Sequence, residues 1–231
     1  ELMDGTVKEY DHVVSTLPIT QLVSRLDGVD EDVKKAAKSL RFRNTILVYL
    51  DVHSRCLFPD NWIYVHSPEL RFGRITNFRN WSPSLYGKEG TSILALEYWC
   101  NEGDEIWGWG DERLVELAKD EVSRAGLVKA GIASEGDVYR VNKCYPVYSV
   151  GYKRLLKPVE DYLRKIEGLT VIGRYGSFKY NNQDHSILMG ILAAENISRG
   201  ANNDLWAINT DYEYQESAVI TETGLVDAGG S

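Results

Sequence analysis

The chain has 231 residues, 43% of them hydrophobic and 26% charged, with a formal net charge of -8 and a pI near 5.1. That length can bury one good core, and the acidic balance excludes the basic footprint that nucleic acid demands, although two or three placed arginines would still serve a phosphate-bearing small molecule. Cys56, Cys100 and Cys144 are widely spaced and odd in number, so neither a disulfide framework nor a metal site is implied and a cytoplasmic protein with reduced thiols is expected; no apolar run reaches the roughly 18 residues of a membrane span.

Glu1 to Tyr10 lacks an initiator methionine and reads as a strand and turn (Asp4-Gly5) opened in mid-domain, so the chain is expected to begin inside a longer protein. Val13 to Pro18 is a short β-rich run stopped by proline. Residues 27–39 are polar and helical, with Val29, Val33, Ala36 and Ala37 at helical spacing. Thr45–Leu50, Trp62–Val65, Arg74–Phe78 and Ser92–Tyr98 then read as successive strands of an antiparallel sheet, separated by turn-forming clusters.

Asp111 to Gly126 predicts an amphipathic helix burying Leu114, Leu117, Ala118, Val122 and Ala125, with Asp111 as cap and Gly126 as stop. Val138 to Tyr148 returns to strand character. Pro158 opens a helix whose apolar side is Val159, Leu163 and Ile166. Leu169–Ile172 is the last strand. Asp184 caps a helix running to Ser198, with Ile187, Ile191 and Ala194 as its buried stripe and Gly200 as terminator. From Ala201 the tail is polar and weakly patterned.

Three stretches carry chemistry. Gly173-Arg174-Tyr175-Gly176 follows a strand about ten residues ahead of a capped helix, where glycines permit close backbone approach and a helix start offers N–H groups to an anion; such glycines more often simply turn the chain. Arg74 and Tyr64 fall on adjacent strands, a bidentate fork beside an aromatic donor, although an arginine on a sheet edge is commonly a surface residue. Tyr145-Pro146 and Tyr180 to His185 concentrate donors and acceptors, with His185 readable as a general base or as a capping and packing residue.

Gly173-Arg174-Tyr175-Gly176-Ser177-Phe178-Lys179-Tyr180, followed by Asn182-Gln183-Asp184-His185-Ser186, resembles the C-terminal flavin-contacting signature of the UDP-galactopyranose mutases, nearer to their eukaryotic type. Val13 to Pro18, in the form D-x-V-V-S-T-L-P, resembles the strand that re-enters the flavin domain across the wider amine-oxidase-like superfamily. Trp62-Ile63-Tyr64 through Arg74 to Pro83 is similar to the family's substrate-sheet strands, and Tyr145-Pro146 matches a Tyr-Pro there. The matches keep the family's order from about Tyr10 to Gly200. Two departures stand out: a loop between Tyr180 and Asn182 that is two residues short, and Cys144 in a glycine's place.

The resemblance implies an α+β fold, an antiparallel sheet substrate domain with packed helices plus C-terminal pieces of a Rossmann-like FAD-binding domain. Residues 1–26 would be a returning strand of that domain, 27–167 the substrate domain, 168–200 the closing strand and helix, and 201–231 a polar tail. It implies FAD as cofactor and a UDP-sugar as substrate, and leaves room for a homo-oligomer. Flavin N5 would be the nucleophile that displaces UDP from the anomeric carbon, so no protein side chain is assigned as catalytic. Arg74 would clamp the diphosphate, Tyr145 and Tyr180 would donate to its oxygens, and Tyr64 would lie near the nucleotide. Gly173, Arg174, Gly176, Asn182, Gln183 and Ser186 would line the flavin. The G-x-G-x-x-G fingerprint is absent, and the resemblance assigns it to a half preceding Glu1. Two alternatives remain: an amine-oxidase-like or protoporphyrinogen-oxidase-like enzyme, and a non-catalytic binding module.

Overall fold

The structure, a computed structural model, describes residues 5–85, 89–208, 218–221 and 224–227. The first four residues of the expected opening strand and about half of the expected tail lie outside them. In chain order the elements are β1 (Val13–Ser15), α1 (Ile19–Arg25), α2 (Glu31–Ser39), β2 (Phe42–Val52), β3 (Trp62–Tyr64), β4 (Arg74–Asn77), β5 (Ser92–Cys100), α3 (Asp111–Arg124), β6 (Ala133–Pro146), α4 (Tyr152–Leu163), β7 (Leu169–Val171), the single turn α5 (Gly173–Gly176), α6 (Gln183–Arg199), and the antiparallel pair β8 (Ala218–Thr221) and β9 (Gly224–Asp227). Contacts divide the chain into two units, Phe42–Cys144 in one and Glu1–Arg41 with Tyr145–Ser231 in the other.

The first unit is a five-stranded sheet in the order β3-β4-β5-β2-β6, with antiparallel pairing of β3 with β4, β4 with β5 and β2 with β5. The two-residue side-chain period of a strand explains its buried face. Ile46, Val48, Leu50 and Val52 of β2 and Leu94, Leu96, Tyr98 and Cys100 of β5 point to one face and are buried, and Leu114, Ala118 and Val122 of α3 cover them. α3 starts one residue earlier than a cap at Asp111 requires: Gly110 is the N-cap, and Asp111 pairs instead with Arg140 at 2.6 Å. Gly126 ends the helix in the left-handed region at φ 72°, as the stop signal predicts. The buried stripe includes Glu121, whose Oε1 accepts the backbone N–H of Arg71 at 2.7 Å; burial and this carboxylate push the Tyr98 phenol far above its ordinary range.

The second unit is formed by the two chain ends. β1 and β7 pair in parallel, Val13 opposite Leu169 and Ser15 opposite Val171, with His12 Nε2 and Thr170 Oγ1 at 2.8 Å beside them. α2 and α4, expected with the sheet, pack on each other in this unit instead. α1 was not expected. The proline that stops β1 also serves as its N-cap residue, and Ile19, Leu22 and Val23 bury one side.

Two expectations fail here for physical reasons. Pro158 does not open α4 but sits inside it; the helix begins at Tyr152 after Gly151 turns the chain at φ 84°. An interior proline forfeits the bond to the carbonyl of Arg154 at a cost of about 3 kcal/mol, and the buried Val159 and Leu163 offset it. In α6 the cap is Asn182, and the buried stripe is His185, Met189 and Ala193. The expected stripe faces out, with Ile187 62% and Ile191 53% exposed and Ala194 exposed as well. This helix is apolar on two sides, so periodicity alone cannot choose between them. Val13 and Val14, on opposite faces of β1, are also nearly half exposed.

Candidate functional site

Within the chain-end unit, the site grows from the exit of β7. Gly173 turns the chain at φ 83°, a conformation that a side chain resists, and α5 follows immediately. Gly176 serves contact rather than torsion. A Cβ there would come within 3.1 Å of Val171 and 3.3 Å of the Ser15 carbonyl, so its close approach is to β1 and β7 themselves. Ser177 bonds back to Gly173 through both its N–H and its hydroxyl, which tightens the turn.

Arg174 projects from this turn. Its guanidinium lies 4.7 Å from the Tyr145 ring centroid and 4.3 Å from that of Tyr180, and NH1 donates to the Asn181 carbonyl at 2.8 Å. The two tyrosine rings stack at 5.4 Å and 20°. Residues 29 and 35 positions apart thereby form one cationic, aromatic cluster. The Tyr180 backbone N–H donates to the Tyr148 hydroxyl at 2.8 Å, and Tyr148 stacks on Tyr152 at 4.4 Å. Asn182 and Gln183 are exposed at the start of α6, which has no side-chain cap, and Ser186 is half-buried one turn on. The backbone N–H and then the ring of His185 hold the Asp184 carboxyl below its ordinary range, and His185 itself is buried, its Nδ1 2.8 Å from Asp184. Asn181, not among the expected contact residues, is 1% exposed, and its Oδ1 has no hydrogen-bond partner among the described residues.

The sheet unit carries the other predicted residues. Tyr64 faces Arg74, which faces Glu97, which faces Leu47, in one row across four strands. Arg74 Nε donates to Glu97 Oε1 at 2.7 Å, a terminal nitrogen reaches the same oxygen at 2.5 Å, and NH1 donates to the Tyr64 hydroxyl at 3.2 Å. Trp99 Nε1 donates to the other Glu97 oxygen at 3.3 Å. The Trp99 ring covers Gly73, where a Cβ would fall 2.2 Å from it, so a side chain there would have to displace the ring. Trp62 and Trp81, both exposed, stack at 5.4 Å on the same face as Tyr64. A cleft of about 670 Å³ opens beside Tyr64, bordered also by His66, Leu70 and Arg124.

Arg74 and Tyr64 are therefore brought together as expected, and Tyr145, Tyr180 and Arg174 form a second group; the two groups belong to different units. Glu97 was missed. Its signal was present: a single carboxylate in the apolar run Ile93-Leu94-Ala95-Leu96-Glu97-Tyr98-Trp99 must find a cation or stay unpaired at high cost.

No protein-family model matches the chain. Among solved structures, the chain is similar to a reduced UDP-galactopyranose mutase, with TM-score 0.75 and 24% identity over 87% of this chain and 43% of that one. It is similar to a protein named as a protoporphyrinogen oxidase from Exiguobacterium sp. 255-15, with TM-score 0.55 and 18% identity over 71% of this chain and 36% of that one. It is also similar to a triple variant of putrescine oxidase with redesigned cofactor binding, with TM-score 0.55 and 13% identity over 82% of this chain and 43% of that one. The chain has the fold shared by these proteins and spans less than half the length of each. Among the described residues no helix is long and apolar enough to cross a membrane, and no group of His, Cys, Asp or Glu could hold a metal.

Proposed function

We propose that the chain is the C-terminal part of a flavin-dependent sugar-nucleotide mutase, of the type that interconverts UDP-galactopyranose and UDP-galactofuranose. The observation that carries this reading is the Arg174–Tyr145–Tyr180 cluster standing directly on the turn after β7, within the stretch that resembles the mutase signature. The fold likeness to a solved mutase over 87% of the chain supports it.

The residues fit one side of a flavin. α6 starts without a side-chain cap, Asn182 and Gln183 stand open at that start, and the buried Asn181 Oδ1 has an acceptor to offer. FAD, when bound, would supply the nucleophile and the electron reservoir. The chain's own residues would position and neutralise. Arg174 would balance negative charge beside the cofactor, held in place by the two rings and the Asn181 carbonyl. Tyr145 and Tyr180 would donate their hydroxyls to diphosphate oxygens. Arg74 would orient the diphosphate more than add net charge, because Glu97 fixes its plane and leaves the pair near neutral.

An amine-oxidase-like or protoporphyrinogen-oxidase-like reading draws support from the same fold in two oxidases. It requires no diphosphate contact. UDP titration, in a polypeptide that carries a dinucleotide-binding half ahead of Glu1, separates the two. Tyr145→Phe and Tyr180→Phe are each expected to weaken UDP about 3- to 10-fold, the worth of one hydrogen bond. Undiminished affinity in both variants would move the weight to the oxidase.

A further inference from the structure

The residues just after α6 belong by composition to a polar tail, yet 203–208 are pinned on several sides. Asn203 exchanges hydrogen bonds with Asn196 of α6, its N–H donating to Oδ1 and Asn196 Nδ2 donating to its carbonyl, both at 2.9 Å. Asp204 accepts from Arg164 at 2.8 Å and from the Trp206 N–H at 3.1 Å, and the Arg164 guanidinium lies 5.7 Å from the Trp206 ring. Leu205 is buried with Ile172, Met189 and Ala193. Four neighbouring residues thus form a strap built into the unit rather than a loose end.

The strap reaches the candidate site through one side chain. Lys179 Nζ donates to the carbonyl of Trp206 and, at 2.9 Å, to that of Ile208. Lys179 stands in the loop between α5 and α6, its own N–H donating to the Arg174 carbonyl at 3.0 Å. On one side is Phe178 in the left-handed region at φ 52°, and on the other is Tyr180, whose ring stacks on Tyr145 beneath Arg174. An ammonium brought out of water needs its donors satisfied, and carbonyls held by the strap satisfy two of them. Lys179 is thereby fixed, and so is the backbone that aims the Tyr180 ring.

We infer that Lys179 is a positioning residue: latched to the strap of residues 203–208, it holds Tyr180 and Arg174 in the stacked arrangement that would bind ligand. The inference rests on reading that cluster as a binding site, but its test needs no ligand. Two aromatic rings 4.3 and 4.7 Å from the guanidinium shift the Arg174 side-chain Nε–H proton upfield by their ring currents, a signature that global stability alone does not move. Nuclear magnetic resonance of the chain labelled with nitrogen-15 arginine reads it, with the resonance assigned by Arg174→Lys. The chain cut after Ile208, and Lys179→Arg, which can still donate to both carbonyls, are expected to keep the upfield position. Lys179→Met and the chain cut after Asn202 are expected to lose most of it, while the amide resonances of β1, α2 and β7 in the same chain-end unit stay in place and report that this unit is folded. Retention of the shift in folded Lys179→Met, or its loss in the chain cut after Ile208, overturns the latch. Loss of the shift as expected, with no UDP binding by a polypeptide that carries the dinucleotide-binding half, leaves the latch standing and counts against the sugar-nucleotide reading alone.

Discussion

Replacing Arg74 by alanine is expected to lower the stability of the sheet unit by about 3 kcal/mol, a large part of what a domain possesses. The reason lies in Glu97 rather than in Arg74 itself. Glu97 is 6% exposed, and two guanidinium contacts and the Trp99 indole N–H satisfy its carboxylate. Without the arginine, a nearly buried carboxylate keeps only one neutral donor, and the desolvation cost falls on folding. Removing both partners is a different matter: Arg74→Met with Glu97→Leu exchanges the pair for apolar contact beside Tyr64 and Trp99 and is expected to return to within about 1 kcal/mol of the parent. The same pair of variants separates folding from binding. Urea unfolding should show the loss and its recovery, whereas UDP affinity, in a polypeptide with the dinucleotide-binding half, should stay low in both. Recovery of UDP binding along with stability would show that Arg74 acts only through the fold.

The second large effect concerns FAD. The chain alone is expected to bind it at least about a thousandfold more weakly than a polypeptide that carries a dinucleotide-binding half, because the G-x-G-x-x-G turn at a helix N-terminus that grips a pyrophosphate is absent from the sequence. Losing three charge-assisted hydrogen bonds at about 1.5–3 kcal/mol each weakens a tight site by at least about a thousandfold. The surface of the chain-end unit agrees. A two-stranded parallel sheet rarely stands with both faces open, yet Val13 and Val14 of β1 and Ile187 and Ile191 of α6 lie exposed. Fluorescence quenching of added FAD checks this; stoichiometric binding at micromolar concentration would mean that these residues hold a complete site.

The sheet was legible because β2 from Ile46 onward and β4 alternate in burial residue by residue, whereas β5, buried at Ala95 and Glu97 as well, reads as a near-continuous apolar run. α6 was located correctly but turned the wrong way, since Ile187 and Ile191 line one side and Met189 and Ala193 the other, and only tertiary contact selects which is buried. α4 was placed late because proline at a helix start is the commoner pattern, and the glycine that begins the helix lies seven residues ahead of it. Of the site, the pairing of Tyr64 with Arg74 follows from adjacent strands. The meeting of Tyr145 with Tyr180 does not, because no local rule joins the end of β6 to the loop before α6; only family resemblance hinted at it. The strap at 203–208 left no periodic trace, being held by single polar contacts rather than by a stripe.

The proposal that this chain completes a sugar-nucleotide mutase is tested most directly by its product. A polypeptide carrying this chain behind a dinucleotide-binding half, loaded with FAD and chemically reduced, should be incubated without oxygen with UDP-galactofuranose and the sugar nucleotides separated by anion-exchange chromatography. The account predicts conversion to UDP-galactopyranose with no net oxidation of the flavin, and at least about a tenfold loss of turnover in Arg174→Ala, the worth of one charge-assisted contact. A reduced, FAD-loaded protein that leaves the furanose untouched, yet after reoxidation yields hydrogen peroxide from an amine, would contradict it.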